Sequence, residues 1–203
     1  MLIQILFLDP ILFLIVAIAI IFSLSIHEYF HAWTAYFLGD STAKDKGRLT
    51  INPLAHLDPL GTLMIFVSGF GWGKPVPINS VNLKNQKWGN VLIGFAGPAA
   101  NFLMAIAVGI IIRFFQISNT YFGSILGLFV WINLVLGIFN LMPIPPLDGS
   151  HIFLANASEK VKIFFIKNSI FLITGLVLFA YYVGFDFIIK PLFVLITGSL
   201  PPF

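Results

Sequence analysis

The run Ile11-Leu-Phe-Leu-Ile-Val-Ala-Ile-Ala-Ile-Ile-Phe-Ser-Leu-Ser-Ile26 carries no ionisable side chain. It leads directly into His27-Glu28-Tyr29-Phe30-His31, and apolar character resumes over Ala32–Leu38. A helix of roughly 20 apolar residues crosses the hydrocarbon of a bilayer, so 11–38 predicts a membrane span. Each ionisable group near a bilayer centre costs roughly 2.5–3.5 kcal/mol on insertion scales, and such groups therefore mark function. On a helix His27 and His31 stand at i and i+4, on one face. Both imidazoles can then reach one metal ion, with Glu28 beside them to handle protons. A chance match, or histidines hydrogen-bonded within a helix bundle, explains the imidazoles less well and the carboxylate worse.

Composition extends this reading to the whole chain. Of its 203 residues 59% are hydrophobic and 9% charged, against a usual charged share of roughly 25%. Mean hydropathy is +0.99. A soluble core cannot absorb that much apolar surface, so an all-α polytopic membrane protein is expected, embedded in the lipid bilayer as one domain over 1–203. The net charge is only +3, with no basic run, and this excludes a nucleic-acid partner. Without cysteine, any metal must rest on histidine and carboxylate ligands. The apolar N-terminus lacks a basic leader and a small-residue cleavage site, so it reads as a retained helix.

Apolar runs predict helices at 11–38, 91–115, 122–142 and 163–185, with a further segment at 186–199. The segment 60–70 is too short to span and predicts a short re-entrant or hairpin element, tolerated where protein surrounds it. The expectation is a bundle of about 5–6 transmembrane helices. If 60–70 does not cross, Lys44, Lys46, Arg48, Lys74, Lys84, Lys87, Lys160, Lys162 and Lys167 share one side. Only Arg113 and Lys190 fall on the other. The positive-inside bias makes the crowded side cytoplasmic. The protein would then be multi-pass in the cell membrane, with His27 roughly 16 Å above the cytoplasmic helix end.

The stretch Asn140-Leu-Met-Pro143-Ile-Pro145-Pro146-Leu147-Asp148-Gly149 interrupts the helical pattern with three prolines and a glycine. Asp148 is the only carboxylate between Asp58 and Glu159. A catalytic zinc commonly takes three protein ligands, and Asp148 is the best candidate to complete His27 and His31. Read alone, Asp-Gly would be an ordinary solvated turn.

These motifs resemble the site-2 protease family of intramembrane zinc metalloproteases, in a short form. The resemblance rests on His27-Glu28-Tyr29-Phe30-His31, Asn52-Pro53-Leu-Ala-His56-Leu-Asp58-Pro59-Leu-Gly61-Thr62 and Gly71-Trp72-Gly73-Lys74-Pro75-Val76-Pro77-Ile78-Asn79. Gly97-Pro98-Ala-Ala-Asn101-Phe102 and Leu147-Asp148-Gly149 complete it. It implies that His27, His31 and Asp148 bind Zn2+, that Glu28 is the catalytic carboxylate and that transmembrane proteins are the substrates. Larger relatives carry a PDZ or CBS domain, for which this chain has no room.

Other residues keep two readings. Asn101 and Asn140 could donate to a developing oxyanion or orient a ligand, or simply bond between helices. His56 and Asp58 could form a second metal site, or fix a turn. Arg48–Ile51 and Pro75–Ile78 could pair with an unwound substrate as an added strand, or serve as connecting hairpins. Two other functions compete with the protease: a metal transporter, disfavoured by the lack of a repeated motif, and a silent zinc-binding scaffold, disfavoured by Glu28.

Overall fold

The computed structural model of the chain describes residues 2–68 and 71–201. The described residues are all-helical, apart from a single isolated β-bridge. The first helices are α1 (Leu2–Leu8), α2 (Pro10–Phe37), α3 (Thr42–Asp45), α4 (Pro59–Ser68) and α5 (Gln86–Phe115). Then follow α6 (Tyr121–Asn140), α7 (Gly149–Phe153), α8 (Glu159–Lys167), α9 (Ser169–Tyr182) and α10 (Asp186–Thr197).

Three of these, α2, α5 and α6, are long and apolar enough to cross a membrane. The pair α8 and α9, bent by 66°, would make a fourth span if taken as one. The all-α membrane architecture is as expected; among the described residues three helices, or four spans with the bent pair taken as one, are long enough, against the about 5–6 expected. The predicted helix over 163–185 breaks at Asn168, whose side-chain amide donates to the Phe164 carbonyl. The 186–199 segment forms the 12-residue α10, too short at about 1.5 Å per residue to cross alone. Its Asp186 and Lys190 do pair, at 2.7 Å.

Local chemistry sets the ends of the long helices. Asp9 caps α2 by accepting from the Leu12 N–H, with Pro10 in the first turn where its missing donor costs nothing. Asn85 caps α5 through the Trp88 N–H, and this starts the helix five residues before the apolar run does.

α5 is the central element, packed against both α2 and α6. Lipid tails are as apolar as leucine, so helix association relies on close packing and interhelical hydrogen bonds. Six of the ten buried residues of α5 are accordingly glycine or alanine: Gly89, Gly94, Gly97, Ala100, Ala105 and Gly109. Farther along, Ala105 and Ile112 meet Val130, Leu134 and Ile138 of α6 and Ile189 and Phe193 of α10 in the main apolar cluster. Arg113 ties α10 to this end of the bundle by donating to the Leu195 carbonyl at 2.8 Å.

The short α4 accounts for the re-entrant segment. Leu57 and Gly73 form an antiparallel bridge, and the Lys74 N–H donates to the His56 carbonyl at 2.8 Å. The chain therefore returns beside the point it left, and α4 lies within the excursion. The last two residues of the predicted segment, 69 and 70, lie outside the described residues. Neither Arg48–Ile51 nor Pro75–Ile78 forms a strand.

Candidate metal centre

His27 and His31 lie one turn apart on α2, both buried, at 3% and 6% exposure. Their Nε2 atoms are 3.0 Å apart. Asp148 Oδ2 lies 2.9 Å from the first and 3.2 Å from the second. Among the described residues this is the one group of three or more histidine and acidic side chains arranged to hold a metal ion.

The far side of each ring identifies its tautomer. His31 Nδ1 faces the Ile93 carbonyl of α5 at 2.7 Å, an acceptor only, so Nδ1 carries the proton. His27 Nδ1 faces Asn101 Oδ1 at 2.6 Å. The amide of Asn101 cannot be turned around, because its Nδ2 donates to Asn133 Oδ1 at 2.9 Å and to the Ser23 carbonyl at 3.3 Å. Asn133 in turn donates to Ser23 Oγ at 2.8 Å and to the Phe129 carbonyl. With Nδ1 engaged in this way, each ring turns its Nε2 toward Asp148 Oδ2 and the point a cation would occupy. This is the outer-shell arrangement that prepares imidazoles as metal ligands.

The spacing of the three donors fits an ion. Tetrahedral coordination at roughly 2.0–2.1 Å keeps ligand atoms about 3.3 Å apart. The observed 2.9–3.2 Å is close to that. The space beside them is kept open by Gly97, where an added Cβ would overlap both Nε2 atoms. Pro98 follows in the same turn of α5. Its missing N–H and its ring loosen the carbonyls of the turn before it, next to the Ile93 carbonyl that His31 uses.

Asp148 reaches the site because the proline-rich stretch doubles back after α6. A Cβ at Gly149 would collide with the backbone of Leu141 and Met142, so only glycine permits so close a return. The chain then re-enters helix at α7, where a Cβ at Gly94 of α5 would crowd His151 and the Asp148 carbonyl.

Glu28, half-buried beside the two histidines, accepts a hydrogen bond from the Val76 N–H at 3.1 Å. With His27 and Asp148 it lines a cavity of about 1190 Å³. The other walls are mostly apolar and include Leu24, Leu128, Ile132 and Val177. Asn140 also lines this cavity, while its amide donates to the Leu136 carbonyl of its own helix at 3.0 Å. His56 and Asp58 have other partners: His56 Nε2 donates to the Thr50 carbonyl, and Asp58 Oδ1 accepts from the Gly61 N–H at the start of α4.

Ser23, Ile93, Gly97 and Asn133 were not singled out for the site from sequence. One signal was present: Ser23, His27 and His31 recur every four residues, a polar stripe on an apolar helix.

The model of peptidase family M50 matches residues 116–181, a span that includes Asp148 but not His27 or His31. The chain is 44% identical over 148 residues to "Putative zinc metalloprotease YwhC" of Bacillus subtilis, covering 66% of this chain and 65% of that protein. It is 32% identical over 147 residues to "Putative zinc metalloprotease Rip2" of Mycolicibacterium smegmatis, covering 68% and 55%. A zinc metalloprotease of Methanocaldococcus jannaschii is 39% identical over 88 residues, covering 42% and 25%. The chain thus spans less than two thirds of the length of these relatives. No solved structure matches it.

Proposed function

The chain belongs to the site-2 protease family, peptidase family M50, and from that membership we propose that it is a zinc-dependent intramembrane endopeptidase. Its substrates are transmembrane proteins, cut within or next to their membrane-spanning segments. The observation that carries this reading is the meeting of His27, His31 and Asp148 on one point inside an apolar bundle, with Glu28 adjacent.

His27, His31 and Asp148 hold Zn2+, and Asn101 and the Ile93 carbonyl keep the two rings in the ligating tautomer. Zinc, when bound, supplies Lewis acidity that acidifies water and polarises a peptide carbonyl. Glu28 accepts the proton of the attacking water and returns it to the departing amine. The Val76 N–H holds one oxygen of that carboxylate, leaving the other for the proton. The apolar cavity receives the substrate segment and excludes bulk water. Asn140 lines the cavity, and on this reading the amide N–H not used on Leu136 donates to the substrate or to the developing oxyanion.

On this reading the protein is multi-pass in the cell membrane, with the site nearer the cytoplasmic face. Support comes from the basic residues that follow the C-terminal end of α2 and from His27 lying ten residues before Phe37, roughly 15 Å.

Zinc analysis of the purified protein, with cleavage of a transmembrane substrate by wild type and Glu28→Gln, tests this reading. Wild type should bind about one zinc and cleave, and Glu28→Gln should bind zinc and not cleave. Metal flux without cleavage would make it a transporter. Zinc with neither flux nor cleavage would make it a scaffold.

A further inference from the structure

Arg48 is a buried cation without an anion. It is 8% exposed, makes no ion pair among the described residues, and its Nε has no partner. Burying a charge is costly unless something compensates it. Nη2 donates to the Lys74 carbonyl at 2.6 Å and lies 3.5 Å from His56 Nδ1, while Nη1 donates to the Pro75 carbonyl at 3.3 Å.

The Pro75 carbonyl and the Val76 N–H belong to one peptide group. Arg48 donates to the oxygen of that group, and its N–H donates to Glu28 Oε2. A donor on the carbonyl polarises the amide and makes its N–H a stronger donor, because hydrogen bonds in a chain reinforce one another. The guanidinium charge therefore reaches the Glu28 carboxylate through a single peptide plane.

The strand of chain that carries this peptide is anchored on both sides. The Lys74 N–H bonds to the His56 carbonyl at 2.8 Å, and the Asn79 N–H bonds to Asp40 Oδ2 at 2.7 Å. Pro75 and Pro77 offer no N–H of their own, so Val76 supplies the one amide donor between Lys74 and Ile78. The Lys74 and Pro75 carbonyls are thus engaged by Arg48, and the Val76 N–H by Glu28.

We propose that Arg48 is a positioning residue for Glu28, acting through the Pro75–Val76 peptide group to hold and orient the carboxylate that handles the proton. The proposal rests on Glu28 being the catalytic carboxylate. Arg48 belongs neither to the His27–His31–Asp148 cluster nor to the lining of the cavity, so its loss should slow turnover while leaving zinc binding and substrate affinity in place.

The test uses the full chain in detergent with a transmembrane peptide substrate. Kinetics are compared for wild type, Arg48→Gln, Arg48→Lys, Val76→Pro and the double variant Arg48→Gln/Val76→Pro, each assayed for bound zinc. Arg48→Gln should lower kcat by about tenfold with KM within about twofold and zinc retained, and Arg48→Lys should recover most of that loss. Val76→Pro removes the N–H, so the double variant should be no slower than Val76→Pro alone. Should Val76→Pro fail to load zinc, Glu28→Asp, whose shorter arm leaves the N–H, takes its place in the same cycle.

Multiplying losses in the double variant would overturn the proposal. So would a kcat for zinc-loaded Arg48→Gln equal to that of wild type. Wild-type cleavage with a silent Glu28→Gln upholds the protease reading whatever Arg48 does. A silent wild type would overturn both.

Discussion

His27 donates its Nδ1 proton to the side-chain oxygen of Asn101, 74 residues away in sequence, at 2.6 Å. That bond joins α2 to α5 and decides which ring nitrogen faces the metal position. Asn101 cannot rotate away, because Asn133 and Ser23 hold its amide. Replacing Asn101 by Leu should weaken zinc binding about 10- to 100-fold, the usual cost of losing such an outer-shell partner. Asn101→Asp keeps an acceptor for His27 and should lose less. Chelator competition on the purified variants measures both, and an Asn101→Leu affinity equal to wild type would contradict the role.

Gly97 makes the tightest steric demand at the site. Its replacement by Ala puts a methyl where both histidine Nε2 atoms already are. Bound zinc should fall by more than about tenfold in affinity, while the helix content seen by circular dichroism stays close to wild type. Full zinc occupancy in Gly97→Ala would show that the ion sits elsewhere.

Gly149 tests how Asp148 arrives. A Cβ there collides with the Leu141 backbone, so Gly149→Ala should move Asp148 off the two histidines and weaken zinc binding to about the same extent as Asp148→Ala. Metal titration of the two variants side by side gives the comparison. A Gly149→Ala protein that binds zinc as wild type does would mean that the loop can return without its glycine.

Asp40, fully buried just beyond α2, ties the start of α3 to the 79–82 segment. Burial pushes its carboxyl up, but bonds from the Thr42 hydroxyl, the Asn79 N–H, the Asn82 amide and the Thr42 N–H together hold it below its ordinary 3.8. A carboxylate whose folded pKa is lowered contributes stability above its unfolded pKa and loses it as pH falls through the folded value. The melting temperature of wild type should therefore exceed that of Asp40→Asn at neutral pH. The gap should close as pH drops below about 4. A gap that stays constant on acidification would remove the ionised carboxylate from the account.

The apolar cavity makes a prediction about substrate. Leu128 and Ile132 line it, so Leu128→Trp or Ile132→Trp would fill part of its volume. Cleavage of a transmembrane substrate should fall by about tenfold in kcat/KM with zinc unchanged. Undiminished cleavage by both variants would place the substrate elsewhere.

Much of the candidate site's clustering was legible in the sequence for a simple reason. His27, Glu28 and His31 sit on one helix, and helical periodicity alone brings the two imidazoles together. Asp148 stood out as a lone carboxylate in a proline-rich break. Hydropathy located α2, α5 and α6 within a few residues, missing the start of α5 because Asn85 caps a polar first turn. It read 163–185 as one helix, since apolarity does not register the 66° bend between α8 and α9.

What the chain determined by itself was membership of a face: which side chains ride together along one helix, and which segments prefer lipid to water. Which faces meet was decided only in three dimensions. Gly97 lets α5 lie against the histidines, Gly149 lets Asp148 turn back to them, and the Ser23–Asn101–Asn133 bonds lock α2, α5 and α6 in register. No local pattern encodes those meetings, because close packing and interhelical hydrogen bonds depend on two surfaces at once.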